Sequence, residues 1–200
     1  MQHVSESAGE PIVTQYSETP YEIFTIDGLY EDAKIEEWLR YVLTNDMKTP
    51  FNTSTYDDFK NGKIMHPEYS SYMYDRMKSC LPEMYTDEKK KTWRFERAPK
   101  YIMCARTHEG ASFAIHTDTG CEYDKAAKLL SKFTVLTYLN DDFEGGDTIF
   151  YDDMFRETCR VKPKRGRTLI FDIDVYHAGA VVQKGCKCWI GTELVCIKTA

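Results

Sequence analysis

His116-Thr117-Asp118, followed 59 residues after the aspartate by His177 and ten later by Lys187, sets the chemistry open to this chain. Successive strand side chains point to opposite faces, so residues at i and i+2 point the same way. On a strand, His116 and Asp118 reach one ion together, and His177 closes the site from another element. Phe113, Ile115 and Thr117 then face the core, while Ala114, His116 and Asp118 face a pocket. Two imidazoles and one carboxylate occupy a single face of a metal and leave positions open, the ligand set of non-haem Fe(II) oxygenases. Lys187 adds a cation that suits the far carboxylate of a 2-oxo acid.

These residues need a scaffold, and the chain is long enough to build one. At 200 residues with 42% hydrophobic and 14% aromatic content it reads as a single folded domain with a real core. A net charge of −6 argues against nucleic acid as a partner. Two basic runs, Lys89-Lys90-Lys91 and Lys162, Lys164, Arg165 and Arg167, read as solvated surface. Residues 1–20 are polar and acidic and read as a flexible arm, with residues 21–200 as the domain. No signal peptide and no membrane-spanning run is visible, and seven scattered cysteines read as reduced thiols. A cytoplasmic location, with the nucleus as the other option, is the expectation. The sequence is silent on oligomeric state.

The front half is helical and the back half stranded. Tyr21 to Ile26 reads as a strand. Ile35, Trp38, Leu39, Val42 and Leu43 recur at helical spacing. Residues 45–66 carry loop residues and read as a long loop or broken ribbon. Pro67 starts a second helix with the stripe Tyr69, Tyr72, Met73, Met77 and Cys80, ended by Leu81-Pro82. From residue 100 onward, short β-rich runs follow: Tyr101–Arg106, Ser112–Asp118, Phe133–Asn140, Thr148–Asp152, Thr168–Asp174 and Cys188–Lys198. Strands at this spacing predict an α+β, mainly β domain, a sandwich or barrel such as a jelly roll, with helices packed outside the sheet.

Three blocks carry a wider resemblance: Arg106 to Asp118; Tyr138-Leu139-Asn140-Asp141 with Glu144-Gly145-Gly146-Asp147-Thr148; and His177-x-Gly179-x-x-Val182-x-x-Gly185-x-Lys187. Together they resemble the prolyl 4-hydroxylase-like branch of the 2-oxoglutarate/Fe(II)-dependent dioxygenases, over roughly residues 20–198. The resemblance implies a double-stranded β-helix core with Fe(II) and 2-oxoglutarate in its mouth. It also implies dioxygen as oxidant, ascorbate as an optional reductant, and hydroxylation of a C–H bond with release of succinate and carbon dioxide. His116, Asp118 and His177 correspond to the iron ligands and Lys187 to the partner of the 2-oxoglutarate C5 carboxylate. Thr148 matches a hydroxyl that also contacts that carboxylate, and Tyr138 a tyrosine that touches the co-substrate in some relatives.

Two positions depart from that pattern. Thr107 stands where many relatives carry a tyrosine that helps bind 2-oxoglutarate. Cys188 stands after Lys187 where collagen-type enzymes carry tryptophan, which puts peptidyl proline in question as substrate. The substrate is therefore a peptide or protein, or alternatively a small molecule. A metal-binding scaffold without turnover and a hydrolytic zinc enzyme are the readings from other classes. Asp172 and Asp174 are candidates to hydrogen-bond an imidazole, against a reading as solvent-facing strand residues. Cys186, Cys188 and Cys196 read as alternating strand residues and not as a thiolate site.

Overall fold

The computed structural model describes residues 10–17, 21–45, 59–87, 89–120 and 122–199. Two strands, β1 (Ile12–Ser17) and β2 (Ile23–Asp27), lead into helix α1 (Asp32–Thr44). Strand β3 (Phe59–Met65) precedes helix α2 (Pro67–Met77), which ends in a 3-10 turn at Lys78–Cys80. The rest is β: β4 (Tyr85–Thr86), β5 (Thr92–Arg97), β6 (Tyr101–His108), β7 (Phe113–His116), β8 (Tyr123–Asp124) and β9 (Leu129–Tyr138). There follow β10 (Glu144–Gly145), β11 (Thr148–Tyr151), β12 (Glu157–Val161), β13 (Thr168–Asp172), β14 (Tyr176–Gly179), β15 (Val182–Lys184) and β16 (Cys186–Lys198).

A large sheet runs β1-β2-β13-β9-β16-β5-β4, with β6 and β3 continuing from one end of the long β16 and β8 added to β9. A second sheet of four strands, β12-β11-β14-β7, packs against it. The result is the jelly roll expected from the strand spacing. Alternation along single strands shows why three layers form. On β13, Leu169 and Phe171 point between the sheets, and Ile170 points to the helices. On β9, Phe133 and Val135 join the helical side, and Leu136 and Tyr138 the inter-sheet side.

The two helices cover the outer face of the large sheet. Ile35, Trp38 and Val42 of α1 and Met73 and Met77 of α2 are fully buried against Ile102, Val135, Ile190 and Leu194. Burying side chains of this size stabilises by roughly 1.5–3 kcal/mol each before the entropy of ordering them is counted. Leu43, predicted on the α1 stripe, is exposed. The α2 start at Pro67 is as predicted. Its cap is His66, whose Nδ1 accepts a 3.4 Å bond from the Tyr69 amide.

Three sequence expectations change. Ile12–Ser17, inside the segment read as a flexible arm, is a strand paired antiparallel with β2. Its apolar residues Ile12 and Val13 are exposed, so the backbone ladder holds it and burial leaves no pattern to read. Phe59–Met65, inside the segment read as loop or broken ribbon, pairs with β6 along its whole length. Its Asn61-Gly62-Lys63 centre disguises a strand as a turn. The strands β5, β12, β14 and β15 lie outside the predicted runs; they are only three to six residues long, and β5 and β12 are rich in charged residues. Residues 1–9, 18–20 and 46–58 of the arm and loop lie outside the described residues.

The second basic run is tied down by acids. Arg167 and Lys164 both pair with Asp27, and Arg165 pairs with Asp32 and Glu36 at 2.9 and 3.2 Å. Those charges fasten the turn before β13 to β2 and α1.

Candidate active site

The second sheet brings the two histidines together. His116 on β7 and His177 on β14 are direct register partners, with ring centroids 4.2 Å apart. β7 ends at His116, so Asp118 is not delivered by strand alternation as predicted. Its position is set by its amide, which bonds to the Ile173 carbonyl just past β13 at 3.0 Å. Ile115, expected in the core, is 42% exposed. Phe113, also expected to face the core, lines the cavity instead.

The three side chains converge. One ligand atom from each of His116, Asp118 and His177 lies within 4.8 Å of the others. Asp118 Oδ1 is 3.4 Å from His116 Nε2, and Oδ2 is 3.7 Å from His177 Nε2. Each ring's Nδ1 faces a backbone carbonyl two residues earlier, Ala114 at 2.8 Å and Val175 at 3.1 Å. With Nδ1 donating there, Nε2 keeps its lone pair and points inward. Burial pushes the His177 pKa down to about 4, so its imidazole is neutral and ready to ligate at ordinary pH. Burial works to raise the Asp118 pKa, but its contacts with His116, His177 and the Thr134 hydroxyl outweigh that and lower it. Two imidazoles and a carboxylate on one side of a point fit a divalent metal with open positions.

Asp172 and Asp174 do not orient these imidazoles. Asp172 accepts a 2.6 Å bond from the Tyr85 hydroxyl, and Asp174 lies 3.5 Å from Lys132 Nζ. Burial raises the Asp172 pKa. Backbone carbonyls do the orienting, and residue types carry no sign of that. The partner that residue spacing missed is Thr134, whose hydroxyl donates to Asp118 Oδ2 at 2.5 Å. A threonine in a β-rich run looks like strand filler.

The triad opens into a cavity of about 710 Å³ between the sheets. Lys187, Thr148 and Thr107 line its inner end. Lys187 is 5% exposed and donates to the Gly146 carbonyl at 2.6 Å. Burial pulls its pKa down to about 8. Its Nζ also lies 5.2 Å from the centroid of the Tyr138 ring. Tyr138 and Thr148 share a 2.7 Å hydroxyl bond. The structure thus gathers Lys187, Thr148 and Tyr138, although Tyr138 stands behind the cavity wall and not in its lining. A buried ammonium beside a hydroxyl fits one end of a dicarboxylate. Thr107 is opposite Lys187 in the β6–β16 register. Trp189, Leu136, Lys63 and Glu193, none of which spacing had indicated, line the cavity further along.

Cys186 and Cys188 flank Lys187 with sulfurs 3.9 Å apart, and Cys188 and Cys196 are buried in the helical-side core. They are alternating strand residues, as expected. Among the described residues, His116, Asp118 and His177 form the group placed to hold a metal.

A jelly roll with a two-histidine, one-carboxylate face at its mouth defines the class. Residues 102–192 match the family model of the 2OG-Fe(II) oxygenase superfamily. The chain is 37% identical to human prolyl 3-hydroxylase 2 over 71 residues, 34% of this chain and 10% of the human protein. Human prolyl 3-hydroxylase 3 matches at 37% over 75 residues. The chain thus spans about a tenth of the length of these curated relatives. In fold it is similar to a viral collagen prolyl hydroxylase from Paramecium Bursaria Chlorella virus-1, with TM-score 0.58 and 20% identity over 90% of this chain and 96% of that one. A Trichoplax adhaerens prolyl hydroxylase, solved with a hypoxia inducible factor peptide fragment, gives TM-score 0.61 at 14% identity, over 86% of this chain and 82% of that one. Among the described residues, no helix is long and apolar enough to cross a membrane.

Proposed function

We propose that this chain is an Fe(II)- and 2-oxoglutarate-dependent hydroxylase acting on a C–H bond of a peptide or protein residue. The observation that carries this reading is a single cavity lined at once by His116, Asp118, His177 and Lys187. Bound Fe(II) supplies oxygen activation coupled to decarboxylation of the 2-oxo acid to succinate. The chain's own residues position the reactants and keep water out.

In this reading His116, Asp118 and His177 hold the metal through two Nε2 atoms and a carboxylate. Thr134 steadies the Asp118 oxygen that faces His177. Lys187 receives the C5 carboxylate, aided by Thr148, whose hydroxyl Tyr138 orients. Thr107 is shorter than the tyrosine of related enzymes and leaves room at that end. Leu136, Phe171 and Trp189 make the walls apolar, which strengthens every charge interaction inside. Residues 21–200 act as one domain, with β1 extending its sheet. A peptide substrate is favoured by the likeness to the Trichoplax enzyme, whose structure holds a peptide.

The test is spectroscopic. Anaerobic Fe(II) plus 2-oxoglutarate should give a weak visible charge-transfer band that Fe(II) alone does not give. Absence of the band, with zinc retained through purification, would favour the hydrolytic zinc reading.

A further inference from the structure

Asp118 and His177 reach the metal face from different segments, yet one short turn orients both. The turn is residues 172–175, between β13 and β14. The Ile173 carbonyl accepts the Asp118 amide at 3.0 Å, and the Val175 carbonyl accepts His177 Nδ1–H at 3.1 Å. His116 is oriented elsewhere, by the Ala114 carbonyl on its own strand.

A carbonyl aims a ligand only as well as its own peptide is held. Main-chain bonds close part of the turn. The Val175 amide donates to the Asp172 carbonyl at 3.2 Å, and the Ile173 amide to the Lys132 carbonyl at 3.1 Å. The Asp172 side chain supplies the rest. Its Oδ1 accepts the Asp174 amide at 2.9 Å, an aspartate turn that fixes the peptide between Ile173 and Asp174. Its Oδ2 accepts the Tyr85 hydroxyl at 2.6 Å, which ties the turn to β4. The Tyr85 ring is braced edge-on against Phe133, with centroids 4.9 Å apart. Asp172 and Tyr85 are both buried, so water does not stand in for either bond.

We infer that Asp172, held by Tyr85, is a positioning residue for the metal: it fixes the 172–175 turn so that Asp118 and His177 present their ligand atoms together. Asp172 touches neither side chain and acts through the two carbonyls. This rests on the metal-dependent hydroxylase reading. It adds that one buried carboxyl behind the site sets two of the three ligands and leaves His116 alone.

The experiment uses the full chain, first metal-free and then titrated with anaerobic Fe(II). Nitrogen-15 NMR of the imidazoles at neutral pH reads which ring nitrogen carries the proton. Both histidines of the parent should carry it at Nδ1. In Asp172→Ala, His177 should become a mixture of the two tautomers while His116 stays as in the parent. Fe(II) affinity should fall by about tenfold or more, as for other groups that orient metal ligands. Asp172→Asn keeps an oxygen for the Asp174 amide and should recover most of that affinity. Tyr85→Phe loses one hydroxyl and no bulk. It should show the same change, confined to His177, in weaker form, and it decides the matter if Asp172→Ala does not fold. Parent-like Fe(II) affinity and His177 tautomer in the folded variants overturn the inference. So does equal disturbance of His116 and His177, or no recovery in Asp172→Asn. Failure of the hydroxylase reading looks different. The parent would then lack the visible band with Fe(II) and 2-oxoglutarate, while the ring tautomers still report on the turn.

Discussion

Thr134 on the large sheet donates a 2.5 Å hydrogen bond to Asp118, which belongs to the mouth of the smaller one. The bond crosses from one sheet to the other and fixes which carboxylate oxygen faces His177. Groups that orient metal ligands typically matter ten- to a hundredfold in metal affinity. Thr134→Val, nearly isosteric but without the hydroxyl, should weaken Fe(II) by about that factor. Thr134→Ser should recover most of it. Anaerobic Fe(II) titration of the two variants checks this, and equal affinity in Thr134→Val would show the bond to be incidental.

The ligands themselves should be less forgiving. His116→Ala, Asp118→Ala and His177→Ala each leave two ligands for a site that needs three. Each should abolish succinate release while the far-ultraviolet circular dichroism stays close to that of the parent. Full activity in any one, with iron still bound, would refute the assignment.

Lys187 offers a test that does not depend on turnover. Removing one partner of a desolvated charge pair costs on the order of 2–5 kcal/mol. Lys187→Ala should therefore weaken 2-oxoglutarate by at least about tenfold, at about 1.4 kcal/mol per factor of ten. Fe(II) binding without co-substrate should change little. Lys187→Arg should recover part of the affinity, limited by the different reach of its planar fork.

The same lysine predicts a pH dependence. Its pKa in the unliganded protein is lowered to about 8, so it is cationic below that pH and neutral above. The dicarboxylate needs the cation. Affinity for 2-oxoglutarate should be flat below pH 8 and fall by up to about tenfold per unit above it, since binding must then take up a proton. For folding the sign is opposite. Between about pH 8 and the usual lysine value the unfolded chain holds the extra proton, so this residue's contribution to stability rises with pH. Calorimetric titration of 2-oxoglutarate across pH 7–9.5 checks the first statement, and a flat profile would contradict it.

Gly191 lies between two cavity-lining residues of β16, Trp189 and Glu193, opposite Leu136 of β9. A Cβ there would collide with the backbone carbonyl of Val135, which cannot swing away like a side-chain tip. Gly191→Ala should therefore destabilise by about 1–3 kcal/mol, the usual range for forced overpacking. Chemical denaturation measures this, and a variant as stable as the parent would mean that β9 and β16 part easily.

The site was legible in the sequence because its chemistry needs rare residue types at fixed offsets. His116, Asp118, His177 and Lys187 meet in one cavity as their spacing suggested. The helices were legible for a related reason: Trp38, Val42, Met73 and Met77 repeat at the period their burial requires. What stayed hidden depends on backbone partners. Asp118 is placed by an amide bond to Ile173, and both imidazoles by main-chain carbonyls, which every residue possesses. Strands β1 and β3 were hidden because pairing holds them and exposed or polar side chains leave no alternation. Thr134 and Glu193 were hidden because only the register of β9 against β16 sets them side by side.

The division of labour between the sheets has a mechanical meaning. Both histidines ride on the four-stranded sheet, and Lys187 rides on the larger one. In the proposed function, the span from metal to co-substrate anchor therefore follows the thickness of the sandwich. Phe150 and Phe171, fully buried with rings 5.2 Å apart, act as its spacer, and Phe171 also touches the His177 ring at 4.6 Å. Trimming either one would narrow a gauge against which a molecule of fixed length is measured. The co-substrate itself then becomes the ruler. A spacer variant should come to prefer 2-oxo diacids of a different chain length, with all four functional side chains left untouched.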